Sequence, residues 1–241
     1  MPTIGFIYPD HAAEDDYPLA ERILGDGTAL PVEHIYGTDL HAVPELLDLG
    51  SPARLAEGAS LLARHEPDAV VWACTSGSFV YGWDGAAEQV AGLSEAAGGK
   101  PASSTSFAFV HAAQTLGVRK VAVAASYPDD VAKLFVEFLG RGGVDVVSMS
   151  AADIDTAAEV GELPPEQVVT LTVDRDHPDA DALLVPDTAM RTLGLVDDIE
   201  TRIGKPVLTA NQVTVWEGLR IAGVTRAYDG LGTLLRTEGR R

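Results

Sequence analysis

Short apolar runs alternate along the chain with segments of helical period, and within each run the apolar residues are continuous. Six runs read as strands: Thr3 to Tyr8, Ala69 to Ala73, Lys120 to Ala125, Val144 to Met149, Ala182 to Val185, and Val207 to Leu208. A strand covered on both faces has no solvent side to carry polar residues, so unbroken Val, Ile, Leu and Ala predict buried parallel strands. Between them, Ser51 to His65 sets Leu55, Ala59, Leu62 and Ala63 on one helical face, and Asp129 to Leu139 does so with Ala132, Phe135, Val136 and Leu139. Strand and amphipathic helix in alternation predict an α/β fold of βαβ units.

The chain also repeats itself. Asp68-Ala-Val-Val-Trp-Ala-Cys-Thr75 lies over Asp181-Ala-Leu-Leu-Val-Pro-Asp-Thr188 without a gap, Gly99-Lys-Pro101 matches Gly204-Lys-Pro206, and Tyr8-Pro9-Asp10 matches Tyr127-Pro128-Asp129. Three matches in the same order predict two pseudo-symmetric Rossmann-like halves, each a parallel sheet flanked by helices. The first half is expected to hold residues 1–100 plus 206–241, the last stretch crossing back to it, and the second half residues 101–205. Every matched segment is expected at the carboxyl end of a strand, where open α/β sheets place ligands, so the site belongs in the cleft between the halves. The repeat sets Cys74 opposite Asp187 and Tyr8 opposite Tyr127.

Charge narrows the partners. With 36 acidic against 17 basic side chains the formal charge is −19, which repels phosphate backbones and anionic lipid surfaces, so neither nucleic acid nor membrane is expected. The same envelope slows an anionic substrate unless the pocket supplies local positive potential. A single cysteine rules out an internal disulfide framework. Met1 leads into a strand-like run with no basic leader, and no apolar run reaches bilayer length, so a cytoplasmic protein is expected. A homo-oligomer stays open.

Cys74-Thr75-Ser76-Gly77-Ser78 sits where a buried strand turns into a helix start. Backbone N–H groups there, with the hydroxyls of Thr75 and Ser76, suit a carboxylate, and the same dipole lowers a thiol pKa. Cys74 reads either as a reactive thiol or as one more buried small residue, and its place at the strand end opposite an aspartate favours the first. Asp187 reads as an acid–base group or as a cap for the next helix. Tyr127, Thr188, Asp10 and Asn211 fall at other strand ends and are candidate substrate contacts. No G-x-G-x-x-G follows the first strand, and the six histidines show no metal-ligand spacing, so neither cofactor nor metal is expected.

At Cys74-Thr-Ser-Gly-Ser78, Ser126-Tyr127, Glu159-Val-Gly161 and Gly204-Lys-Pro-Val-Leu-Thr-Ala-Asn-Gln212 the chain resembles the maleate isomerase and arylmalonate decarboxylase branch of the aspartate/glutamate racemase superfamily. The resemblance implies catalysis without metal or organic cofactor on a small carboxylic acid held between the halves. In the isomerases each half supplies a cysteine; in the decarboxylases the first position is glycine and only the second carries a thiol. Cys74 matches the first cysteine, the attacking nucleophile, while Asp187 stands at the second position. Thr75, Ser76 and Tyr127 match the hydroxyls that bind a substrate carboxylate. The asparagine positions of the isomerases fall at Ala12 and near Thr156.

The reading that follows is a cofactor-independent isomerase of a small unsaturated or α-acidic carboxylic acid, in which the Cys74 thiolate adds to a double bond and Asp187 moves the proton. One rival is a decarboxylase or racemase in which Cys74 only delivers a proton to an enediolate. Another, of a different class, is a non-catalytic small-carboxylate binding protein.

Overall fold

The computed structural model describes residues 1–237. The first part of the chain runs β1 (Ile4–Pro9), α1 (Asp16–Leu24), β2 (Val32–Ile35), α2 (Val43–Leu49), α3 (Pro52–Leu62), β3 (Ala69–Trp72), α4 (Ser76–Phe79), α5 (Gly82–Ala96), β4 (Ala102–Ser104) and α6 (Thr105–Leu116). The second runs β5 (Lys120–Ala125), α7 (Asp129–Arg141), β6 (Asp145–Ala151), α8 (Ala157–Gly161), α9 (Pro165–Val173), β7 (Ala182–Val185), α10 (Val196–Ile203), β8 (Val207–Thr209), α11 (Ala210–Ile221) and α12 (Gly232–Arg236). Two parallel four-stranded sheets result, ordered β2-β1-β3-β4 and β6-β5-β7-β8. The orders superimpose strand for strand, as the repeated segments require.

Burial explains which strands announce themselves in the sequence with one exception: β6, read as buried over Val144 to Met149, is an edge strand exposed at Asp145 and half-buried beyond it. Every residue of β3 and β7 is buried, and both are written as unbroken apolar runs. The edge strand β2 alternates between half-buried and buried positions, carries Glu33 and His34, and does not stand out as a strand in the apolar pattern. The three-residue β4 likewise carries too little pattern. On α7, Phe135 and Leu139 face the core as predicted, joined by Phe138, while Val136 is only half-buried. α3 buries Leu55, Ala59 and Leu62 and stops there, leaving the predicted core residue Ala63 exposed in a turn of 3-10 helix.

The boundary expected at residue 101, with the return at 206, falls one strand early both times. β4 pairs with β3 in the first sheet, and β8 pairs with β7 in the second. Each Gly-Lys-Pro turn therefore feeds the last strand of its own sheet, and lies at that strand's amino end rather than at a carboxyl end as expected. The crossing comes one element later: α11 leaves the second sheet and packs on β1, β3 and β4 of the first, side by side with α6. A buried polar seam holds α11 there: Thr105 of α6 and Thr214 share a 2.6 Å hydroxyl contact, and Ser103 of β4 donates to Glu217 at 2.7 Å. Burial raises the Glu217 carboxyl, but hydrogen bonds from Arg220 and His111 overcome that and hold it down at about 2.

Candidate active site

β3 and β7 are short and fully buried, so the residues just beyond them emerge at a fixed place between the sheets. Cys74 lies two residues past the end of β3 and Asp187 two past the end of β7, and both line one cleft of about 450 Å³. The Cys74 turn is pinned from behind. Ser106 donates to the Thr75 carbonyl at 2.8 Å, Gln89 donates to the Gly77 carbonyl at 2.9 Å, and Ser78 donates to Ser104 at 2.9 Å.

Inside the turn, the Gly77 N–H donates to Cys74 Sγ at 3.3 Å and Ser76 Oγ stands 3.8 Å from it. These donors favour a thiolate, as the sequence suggested, but they are outweighed. Burial, joined by the nearby Asp187 carboxylate, pushes the Cys74 thiol up to about 11. The expectation of a lowered thiol pKa is therefore corrected: desolvation of a fully enclosed sulfur costs more than two hydrogen bonds return.

Opposite, both Asp187 oxygens are held. Oδ2 accepts from the Ser126 hydroxyl, and Oδ1 accepts from the Ala189 N–H at 2.9 Å. The second bond closes a local turn two residues long; the next α-helix, α10, starts only at Val196, so Asp187 faces the cleft without capping a helix. Ser76, Thr188 and Asp10 also line the cleft, Asp10 at its exposed mouth with φ of 37°.

Thr75, Tyr127 and Asn211 are not on the cleft wall. Thr75 Oγ1 lies buried without a hydrogen-bond partner, directly after the thiol in the chain. The Tyr127 hydroxyl donates to the Pro186 carbonyl; burial, then the charges of Asp187 and Cys74, push its ionisation well above the ordinary tyrosine value. Asn211, read as a substrate contact, donates instead to Asp16 Oδ2 at 2.9 Å and to the Thr188 carbonyl at 3.1 Å. It braces the second-half turn from behind because α11 crosses back beneath it. Tyr8 holds the same carbonyl at 2.6 Å and accepts from the Ala13 N–H at 3.1 Å.

The family model described as arylmalonate decarboxylase matches residues 51–235. The chain belongs to the arylmalonate decarboxylase family. It is 28% identical over 245 residues to the arylmalonate decarboxylase of Bordetella bronchiseptica, covering 97% of this chain and 96% of that one. It is 29% identical over 187 residues to a maleate isomerase of Nocardia farcinica, covering 73% and 72%. Among solved structures, a liganded double mutant of arylmalonate decarboxylase, with a cysteine in place of a glycine and a serine in place of a cysteine, superposes with a TM-score of 0.86 at 25% identity. It covers 97% of this chain and 98% of that one. The resemblance seen in the sequence is borne out, and with it the two-sheet fold.

Two features of this family member were invisible in its sequence. His41 lines the cleft from the loop between β2 and α2, with its side chain only 5% exposed and Nε2 3.9 Å from Asp187 Oδ2. Neither an apolar period nor a repeat match marks that loop. The histidines scattered along the chain are also not all scattered in space: ligand atoms of His11, Glu14 and His34 lie within 4.8 Å of one another near the mouth, the two rings 4.0 Å apart. No helix among the described residues is long and apolar enough to cross a membrane.

Proposed function

We propose that this chain is a cofactor-independent isomerase of a small dicarboxylic acid, with Cys74 as nucleophile and Asp187 as the group that moves the proton. The observation that carries the reading is the placement of a thiol and a carboxylate at equivalent strand ends of the two sheets, on the walls of one cleft. A thiol adds readily to an electron-poor carbon, whereas a carboxylate is a poor carbon nucleophile and a good acid–base group. The maleate isomerase relative supports the same chemistry.

The step balances without an added reactant. The thiol proton passes to the Asp187 carboxylate, and the thiolate attacks one alkene carbon. The C–S bond forms, the π pair moves to the neighbouring carbon, and that carbon takes the proton from Asp187. Rotation about the resulting single bond follows. Asp187 then removes the proton, the double bond re-forms in the other geometry, the C–S bond breaks, and the departing sulfur takes its proton back from Asp187. Ser76, on the cleft wall, is the side-chain donor for a substrate carboxylate.

The decarboxylase relative, matched over nearly the whole of both chains, favours a second reading in which a malonic acid loses carbon dioxide and Cys74 protonates the enediolate left behind. A turnover screen of maleate and other small mono- and dicarboxylic acids, arylmalonates included, separates the two, together with intact-mass analysis of the quenched enzyme. Isomerised product and a covalent adduct on Cys74 are expected, because only addition leaves carbon on sulfur. Carbon dioxide release with no adduct makes the chain a decarboxylase. Binding without any turnover makes it a carboxylate-binding protein.

A further inference from the structure

We propose that His41 is the proton partner of Asp187: its Nε2 supplies, and takes back, the proton that Asp187 exchanges with the substrate. The inference rests on Asp187 acting as the proton-moving group.

The tautomer follows from the contacts. His41 Nδ1 lies 3.0 Å from the Ile154 carbonyl, and a carbonyl oxygen only accepts, so Nδ1 carries a hydrogen in every state of the ring. Nε2 is then the nitrogen whose proton comes and goes, and it is the one turned toward Asp187 Oδ2 at 3.9 Å. An approach of about 1 Å makes that contact a hydrogen bond. The two side chains are 5% and 4% exposed, so bulk water does not exchange protons with them freely.

The ring is also held in place. The loop that carries it is tied to the opposite half where the His41 N–H donates to the Asp155 carbonyl at 2.8 Å, the Ala157 N–H to the Asp39 carbonyl at 3.0 Å, and the Ala158 N–H to Asp39 Oδ1 at 2.9 Å. The imidazole meets the Tyr127 ring edge-on at 5.0 Å.

Charge gives the third argument. The titratable groups around His41 are Asp187, which it faces, Tyr127, which burial keeps neutral, and Cys74, Asp39 and Asp10 on the cleft walls. His41 is the one basic side chain among the residues lining the cleft. A dianionic substrate entering beside Asp187 meets no other basic side chain on that wall. The thiol proton taken by Asp187 passes to the free Nε2 of His41, returns through Asp187 to carbon, and retraces that path to the sulfur when the C–S bond breaks. No proton is left over.

Three measurements test this. In nitrogen-detected NMR of the wild type, His41 should show a protonated Nδ1, and Asp187→Asn should move the Nε2 signal while leaving Nδ1 in place. An unprotonated Nδ1, or an Nε2 indifferent to Asp187→Asn, overturns the pairing even if no substrate is found. On a turned-over acid, His41→Asn, which keeps a donor for Ile154, should lower kcat by about 10²-fold with KM within about threefold. His41→Gly should recover at least about tenfold on adding imidazole. Full kcat in His41→Asn, or a folded His41→Gly enzyme that imidazole does not rescue, overturns the proposal. A wild type that turns over no acid sinks the isomerase reading instead, and the NMR result still decides the His41–Asp187 pair.

Discussion

Cys74 and Asp187 stand two residues beyond the ends of equivalent strands in the two sheets, and the carboxylate is near enough to help raise the thiol. Their chemistries are unequal, so their substitutions should be unequal too. Cys74→Ser should abolish turnover, because no base in the cleft ionises a hydroxyl. Asp187→Asn should slow turnover by about 10²- to 10⁴-fold while substrate still binds. Rates measured beside affinities check both; an active Cys74→Ser enzyme removes the thiol from the mechanism.

The buried thiol should be slow toward alkylating reagents. With its pKa pushed up to about 11, first by burial and then by Asp187, about one thiol in ten thousand is ionised at pH 7. Labelling by iodoacetamide should therefore keep rising toward pH 11, and Asp187→Asn should speed it by removing the nearby negative charge. Labelling that levels off near pH 8 would contradict the desolvated environment.

Gly77 leaves no room for a side chain. A Cβ at that position would sit 3.0 Å from the Trp72 ring and 3.1 Å from Cys74 Sγ. Gly77→Ala should push the sulfur off its place beside the Gly77 N–H and cost about tenfold or more in kcat, since small misplacements of a reacting atom are expensive. Wild-type kcat in a folded Gly77→Ala protein would show that the sulfur tolerates displacement.

Tyr8→Phe removes a buried hydroxyl that holds both the Thr188 carbonyl and the Ala13 N–H. Leaving those groups unpaired should cost about 1–3 kcal/mol in urea unfolding. Since the same hydroxyl ties the 10–14 loop to the cleft, KM should rise as well.

Glu217 should write part of the acid unfolding curve. Its carboxyl is held at about 2 in the folded protein by Arg220 and His111, against about 4.3 in an unfolded chain. A depressed carboxyl contributes stability above the unfolded value and loses it as pH falls through the folded one. About 3 kcal/mol present at pH 7 should thus disappear between about pH 4.3 and 2. Glu217→Gln should flatten that part of the stability–pH profile; an unchanged profile would place the acid sensitivity elsewhere.

Much of this molecule is determined locally, and that part can be read directly. Strands buried on both faces must be continuously apolar, so β1, β3, β5 and β7 stand out in the sequence. Because both halves solve the same packing problem, the Asp68 and Asp181 runs resemble each other closely enough to pair Cys74 with Asp187. What depends on contacts between distant segments leaves no such pattern. An edge strand such as β2 is free to carry Glu33 and His34, and whether β4 joins the first or the second sheet is decided by pairing with β3 alone. The thiol pKa is settled by how completely the fold excludes water, which outweighs the donors that the Cys-Thr-Ser-Gly turn displays. His41 is the clearest case: its loop has no period, and only backbone bonds to residues 113 or more positions away turn its imidazole toward Asp187.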